Sequence, residues 1–191
     1  MDIRDTYQFI ILAVLLALSA FFSSTETALM SVNRIRLRAL SDDDNKRAAL
    51  ALDILENHTP KMLSAILIGN NIVNLSAASI ATVLFTRWMG EKGVPVSTVV
   101  LTVVVLIFGE ISPKSLAKER PEKIAMAFAP LLHFFIIILK PINFLFTQWK
   151  KLLLRIFKGG DDQGITEEEL MTIVGEAENE GGIDAHEGKL I

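Results

Sequence analysis

The run from Met62 to Phe85 is almost wholly apolar and about 24 residues long. A helix needs about 20 such residues to cross a bilayer. The run is interrupted by Ile68-Gly69-Asn70-Asn71-Ile72-Val73-Asn74. Amide side chains at membrane depth are costly unless they find partners. Asn70 and Asn74 stand four apart, so on a helix they share one face and turn two carbonyl oxygens the same way. Two readings are open for such a pair: hydrogen-bonding glue between membrane helices, or a ligand site.

The chain has 191 residues, of which 51% are hydrophobic. Its mean hydropathy of +0.42 is too apolar for an ordinary soluble domain and calls for several membrane segments. The first runs from Phe9 to Met30. Ala17-Leu18-Ser19-Ala20 resembles a signal-peptide cleavage site, but the leader Met1-Asp2-Ile3-Arg4-Asp5 is acidic where a signal peptide starts basic. The basic stretch Asn33 to Arg38 follows. Asp42-Asp43-Asp44 reads as a helix start, and Ala48, Leu52 and Leu55 then recur at helical spacing. This predicts a short amphipathic helix at the membrane surface. Segment two is the Asn-bearing run, and Arg87 to Gly93 is a tight turn. Segment three starts at Val94 and reaches Ile111 or Leu116. Segment four, Ile124 to Leu139, is short for a span and holds Pro130, which predicts a break into two half-helices. Ile142 to Phe157 mixes apolar and basic residues, as an interfacial helix does. From Asp161 to Ile191 there are ten acids and one lysine, so a separate soluble stretch, 159–191, is expected.

Lys and Arg set the orientation. The leader has one, the loop after segment one six, the turn after segment two two, the loop after segment three four, and Lys140 to Lys158 five. The N-terminus and the 87–93 turn are therefore expected outside, and the C-terminal part in the cytosol. Segment four is flanked by basic residues on both sides, so it should enter and leave on one side as a re-entrant hairpin. Broken backbone at that depth is tolerated where protein or a polar cavity covers it. The expected fold class is thus an all-α membrane protein. It has three transmembrane helices, a re-entrant pair of short helices and juxtamembrane amphipathic helices.

The remaining polar residues gather near one depth. Segment one carries Ser23-Ser24-Thr25-Glu26-Thr27 and segment three carries Glu110. At about 1.5 Å per residue, Ser24 and Glu110 each lie roughly 9 Å from the basic end of their segment, and Asn70 roughly 12 Å. Three matches in three segments argue for one shared site. Pro113 has no N–H for the carbonyl of Gly109, which places a backbone oxygen beside Glu110. The pooled set is all oxygen: Ser23, Ser24, Asn70, Asn74, the Gly109 carbonyl and Glu110, with Glu26 as a second carboxylate or the partner of a basic residue. Hard cations such as Mg2+ or Ca2+ prefer such ligands, and Na+ can use them.

Other chemistries are poorly served. There are no cysteines, and His58, His133 and His186 are scattered. No lysine faces the serine cluster and no aspartate lies within a segment, so an intramembrane enzyme lacks a nucleophile with its base. No enzyme and no nucleic-acid partner are expected.

Phe21-Phe22-Ser23-Ser24-Thr25-Glu26-Thr27-Ala28-Leu29, Gly69-Asn70-Asn71 and Gly109-Glu110-Ile111-Ser112-Pro113-Lys114 together resemble the membrane domain of the CorC magnesium transporters, shared by the cyclin M (CNNM) proteins. The resemblance covers about residues 5 to 158. It implies a homodimer in the cell inner (plasma) membrane and Mg2+ transport out of the cytosol coupled to Na+ entry. It also maps the family's Mg2+-binding Ser, Asn and Glu onto Ser24, Asn70 and Glu110. The domain is expected to occupy 1–158. The stretch 159–191 resembles a connector toward a pair of ATP-binding CBS domains, and the chain is expected to stop short of that pair.

Overall fold

The computed structural model describes residues 3–142, with single positions 144, 145, 148, 149 and 153 beyond them. The chain divides into two units, Met1–Leu145 and Phe146–Ile191. The expected acidic connector and most of the expected 142–157 helix lie outside the described residues.

Within the first unit the described elements are all helical: α1 (Ile3–Ser31), α2 (Arg34–Asp42), α3 (Lys46–Asn57), α4 (Thr59–Met89), α5 (Gly93–Val104), α6 (Ser112–Glu119) and α7 (Pro121–Ile138). A 3-10 turn, Gly90–Lys92, joins α4 to α5, and a wide π-helical stretch, Val105–Ile111, joins α5 to α6. Three stretches are long and apolar enough to cross a membrane: α1, the run Thr59–Glu119, and α7. The middle run folds back at Gly90, whose φ of 63° suits glycine. That fold makes α4 and α5 the arms of a hairpin, with the Thr82 and Ser97 hydroxyls 3.4 Å apart. Large apolar side chains stand exposed on α1, α4, α5 and α7, among them Val14, Leu75, Val99 and Phe134, as a bilayer-facing surface requires.

α1 and α4 run antiparallel. Gly69 sets their register, because a Cβ there would stand 2.3 Å from Cζ of Phe22. The Phe22 ring occupies the notch that the missing side chain leaves, and small residues of this kind let membrane helices approach closely. On its other side α1 meets α7 through an aromatic cluster: Phe21 against Phe128 at 5.1 Å and Phe22 against Phe135 at 5.0 Å between ring centres.

Local details depart from the sequence expectations in three places. Segment four is not split: α7 is a single helix of 18 residues that begins at Pro121 and passes through Pro130. Pro121 suits a first turn, where its missing N–H costs nothing. Beyond it, Ala125, Ala129, Leu132 and Ile136 form one buried stripe against the neighbouring helices. That packing holds the backbone straight enough to absorb one lost hydrogen bond. The basic stretch after α1 is itself a helix, α2, capped by Asn33, whose side chain accepts from the N–H groups of Ile35 and Arg36. Finally, α3 starts after Asn45 rather than in the aspartate run; Asn45 accepts from Arg47 and Ala48. Asp44 takes a left-handed φ of 66° and ends the turn between α2 and α3. The face of α3 carrying Ala48, Ala51, Ile54 and Leu55 is buried, and it packs on α2 and α7.

Candidate cation site between three helices

The Phe22–Gly69 contact decides what lies next to Asn70. One turn earlier on α1, Ser19 falls opposite it and donates its hydroxyl proton to Asn70 Oδ1 at 3.3 Å. Asn74 Nδ2 donates to the same oxygen at 3.4 Å. Gly109 closes the third side: a Cβ there would stand 2.9 Å from Ser19 Oγ. Ser19 of α1, Asn70 and Asn74 of α4 and the Gly109 backbone of the π-helical stretch therefore meet at one point. Ser23, four residues after Ser19, lies on the same face of α1. Its Oγ is buried and has no hydrogen-bond partner among the described residues, and the same holds for Asn74 Oδ1. Buried polar atoms without partners are uncommon and call for an explanation.

Glu110 is half-buried and follows Gly109, and no hydrogen bond or ion pair is found for it among the described residues. The wide stretch ends with the Ser112 N–H on the Ile107 carbonyl. Pro113 can supply neither the next five-residue bond, to Phe108, nor the four-residue bond, to Gly109. The expectation for the Gly109 carbonyl thus takes a specific form: the turn is widened, and the proline withholds its donor at that point. Wide turns of this type inside helices are frequent at functional sites.

Ser24 is placed differently. Its hydroxyl donates to the Phe21 carbonyl at 3.1 Å, and its side chain lines a groove of about 770 Å3 with Phe108, Ser112, Pro113 and residues of α7. It lies about 100° round the helix from Ser23. Donating its proton leaves its lone pairs free, so it remains competent as a ligand. Glu26 pairs with Lys114 of α6, at 3.8 Å. The sequence reading missed Ser19, although its spacing of four from Ser23 was visible. What the sequence could not show was the α1–α4 register.

Among the described residues there is no group of three or more His, Asp or Glu side chains able to hold a metal. The junction offers several neutral oxygens, and the carboxylate of Glu110 follows Gly109 in the chain. That set suits a hard ion that keeps part of its hydration shell, and it does not suit a soft metal.

Fold and junction together define a multi-pass all-helical membrane protein with a polar point of contact inside its bundle. The chain belongs to the family described as the cyclin M transmembrane N-terminal domain, which matches residues 10–187. It is 44% identical over 172 residues to a UPF0053 protein of Haemophilus influenzae, covering 88% of this chain and 41% of that one. It is 36% identical over 167 residues to the UPF0053 inner membrane protein YfjD of Escherichia coli K12, covering 85% of this chain and 39% of that one. A chloroplastic DUF21 domain-containing protein of Arabidopsis thaliana is 33% identical over 186 residues, covering 96% of this chain and 28% of that one. The chain thus spans about two fifths or less of the length of these relatives.

Proposed function

We propose that this chain is the membrane domain of a Mg2+ transporter and that the ion is held where α1, α4 and the wide turn meet. The observation that carries the reading is the pair of buried oxygens, Ser23 Oγ and Asn74 Oδ1, that have no hydrogen-bond partner among the described residues. A hydrated hard cation between these groups would give the two oxygens a partner through its waters. Ser23, Ser24, Asn70, Asn74, the Gly109 carbonyl and Glu110 form the ligand set, some of them through waters that Mg2+ gives up reluctantly. The choice of Mg2+ rests on the family resemblance, as do export from the cytosol and coupling to Na+ entry. The same reading puts the domain in the plasma membrane as a homodimer, with the α1 N-terminus outside. The basic flanks of α7 favour both of its ends on the cytosolic side. At 18 residues α7 is unbroken and roughly 27 Å long, so that topology requires it to lie along the cytosolic face rather than to dip in and turn back as a hairpin. Cysteines placed at Lys123 and Lys140 should label from the same side.

The bonds from Ser19 and Asn74 to Asn70 favour a second reading, a non-transporting sensor or scaffold in which the cluster only packs helices. Isothermal titration of purified protein with Mg2+, paired with flux into liposomes, separates the two. Transport predicts Mg2+ binding in the parent protein that weakens by about 100-fold in Glu110→Gln, with flux reduced alongside it. A packing cluster predicts neither binding nor flux in the parent protein.

A further inference from the structure

At the end of the bundle away from the basic loops, α1 and α4 are clasped. Asp5 is buried, at 6% exposure. Arg87 Nη1 donates to its Oδ1 at 3.0 Å and Trp88 Nε1 to its Oδ2 at 3.3 Å. The Trp88 ring packs on Phe9 at 5.6 Å and on Phe85 at 6.0 Å. Behind this cluster lies a cavity of about 280 Å3 between α1, α4 and α5. Phe9 and Phe85 line one end of it, Leu12, Ala77 and Ala81 its walls, and Asn74 the other end. From Asn74 to Phe85 is eleven residues of helix, roughly 16 Å. The cavity therefore extends from the polar junction toward the clasp.

We propose that this cavity is the second half of the cation's route and that Asp5, Arg87 and Trp88, with Phe9 and Phe85 beneath them, form its far gate. The inference rests on the transport reading above. A passage lined almost wholly by apolar side chains sheds water, and a dry passage excludes ions. The route is closed twice, by the aromatic plug and by the clasp that keeps α1 against α4. Opening requires the two helices to part at this end, which means breaking the ion pair and the indole hydrogen bond together. Water then follows along Ala77 and Ala81 as far as the unpartnered Asn74 oxygen.

The chain has no cysteine, so a single introduced thiol reports cleanly. Ala81→Cys, placed in the full-length chain in right-side-out spheroplasts, is treated with a membrane-impermeant cationic methanethiosulfonate. With the native clasp it should react slowly. In Asp5→Asn it should react at least tenfold faster, and in Trp88→Phe, which loses one donor and keeps a ring, a fewfold faster. The charge swap Asp5→Arg with Arg87→Asp should restore slow reaction, which a general loss of folding would not do. Fast reaction with the clasp intact, or the same rate in all four backgrounds, overturns the proposal. The labelling needs no Mg2+. If the rates follow this order in a protein that fails to bind Mg2+, the gate stands and the assignment of the ion falls. If Mg2+ binds and the rates do not move, the gate falls and the site stands.

Discussion

The same two helices, α1 and α4, touch through polar groups at two places that differ in kind. At the clasp, the Asp5 carboxylate faces a guanidinium and an indole N–H, and both of its oxygens accept a bond. At the junction, Ser19 and Asn74 donate to one acceptor oxygen, that of Asn70, while Ser23 Oγ and Asn74 Oδ1 find no partner among the described residues. A saturated cluster gains nothing from a further ligand and contributes by holding its helices together. An undersatisfied one carries a standing desolvation cost, on the order of 1–3 kcal/mol per buried group, that a bound ion can offset. The packing matches this division. The junction is built around two close backbone approaches, Gly69 on Phe22 and Gly109 on Ser19, which fix its oxygens in place. The clasp is built from long side chains that can separate.

Each side of the comparison can be broken separately. The largest effect is expected from Glu110→Ala, which removes the carboxylate of the proposed ligand set: Mg2+ affinity by titration should fall about 100-fold, in line with a charged interaction of about 3 kcal/mol. Gly69→Val drives a side chain into the Phe22 ring. It should lower thermal stability by about 1–3 kcal/mol, as overpacking does, with partial recovery in the double variant Gly69→Val, Phe22→Ala. If Gly69→Val melts like the parent, the register argument is wrong. Asn70→Ala strips the shared acceptor and should weaken Mg2+ by about tenfold, comparable to one lost hydrogen bond of about 1.4 kcal/mol. Pro113→Ala touches no side-chain ligand, yet it returns an N–H to the wide turn. Affinity should drop about threefold, and an unchanged value would remove the Gly109 carbonyl from the ligand set. Least of all, Asp5→Asn should leave Mg2+ affinity within about twofold, because the clasp makes no part of the junction. A loss as large as that of Glu110→Ala would merge the two regions into one.

Much of this protein was legible in one dimension. Bilayer-length apolar runs, unbroken by charge, dictate membrane helices, because a chain in lipid must satisfy its backbone internally. The amides of α4, the serines of α1 and the Gly-Glu-Ile-Ser-Pro-Lys stretch were conspicuous there because polar groups at that depth are expensive. Pro113 announced the fault in its helix by chemistry alone, since no fold can give proline an N–H. Tertiary structure decided which groups meet. Depth counting put Ser24 level with Asn70, whereas the antiparallel register brings Ser19 to it, since that register follows from how the Phe22 ring fits the notch at Gly69. Pro130 is chemically as disruptive as Pro113, yet its helix runs on, because a buried alanine and leucine stripe outweighs one missing bond. The Asp5–Arg87 pair spans 82 positions in the chain, and no local pattern marks it. Local rules follow from the covalent chain and the solvent around it. Register and partner choice depend on the shapes of two surfaces that exist only once both helices have formed.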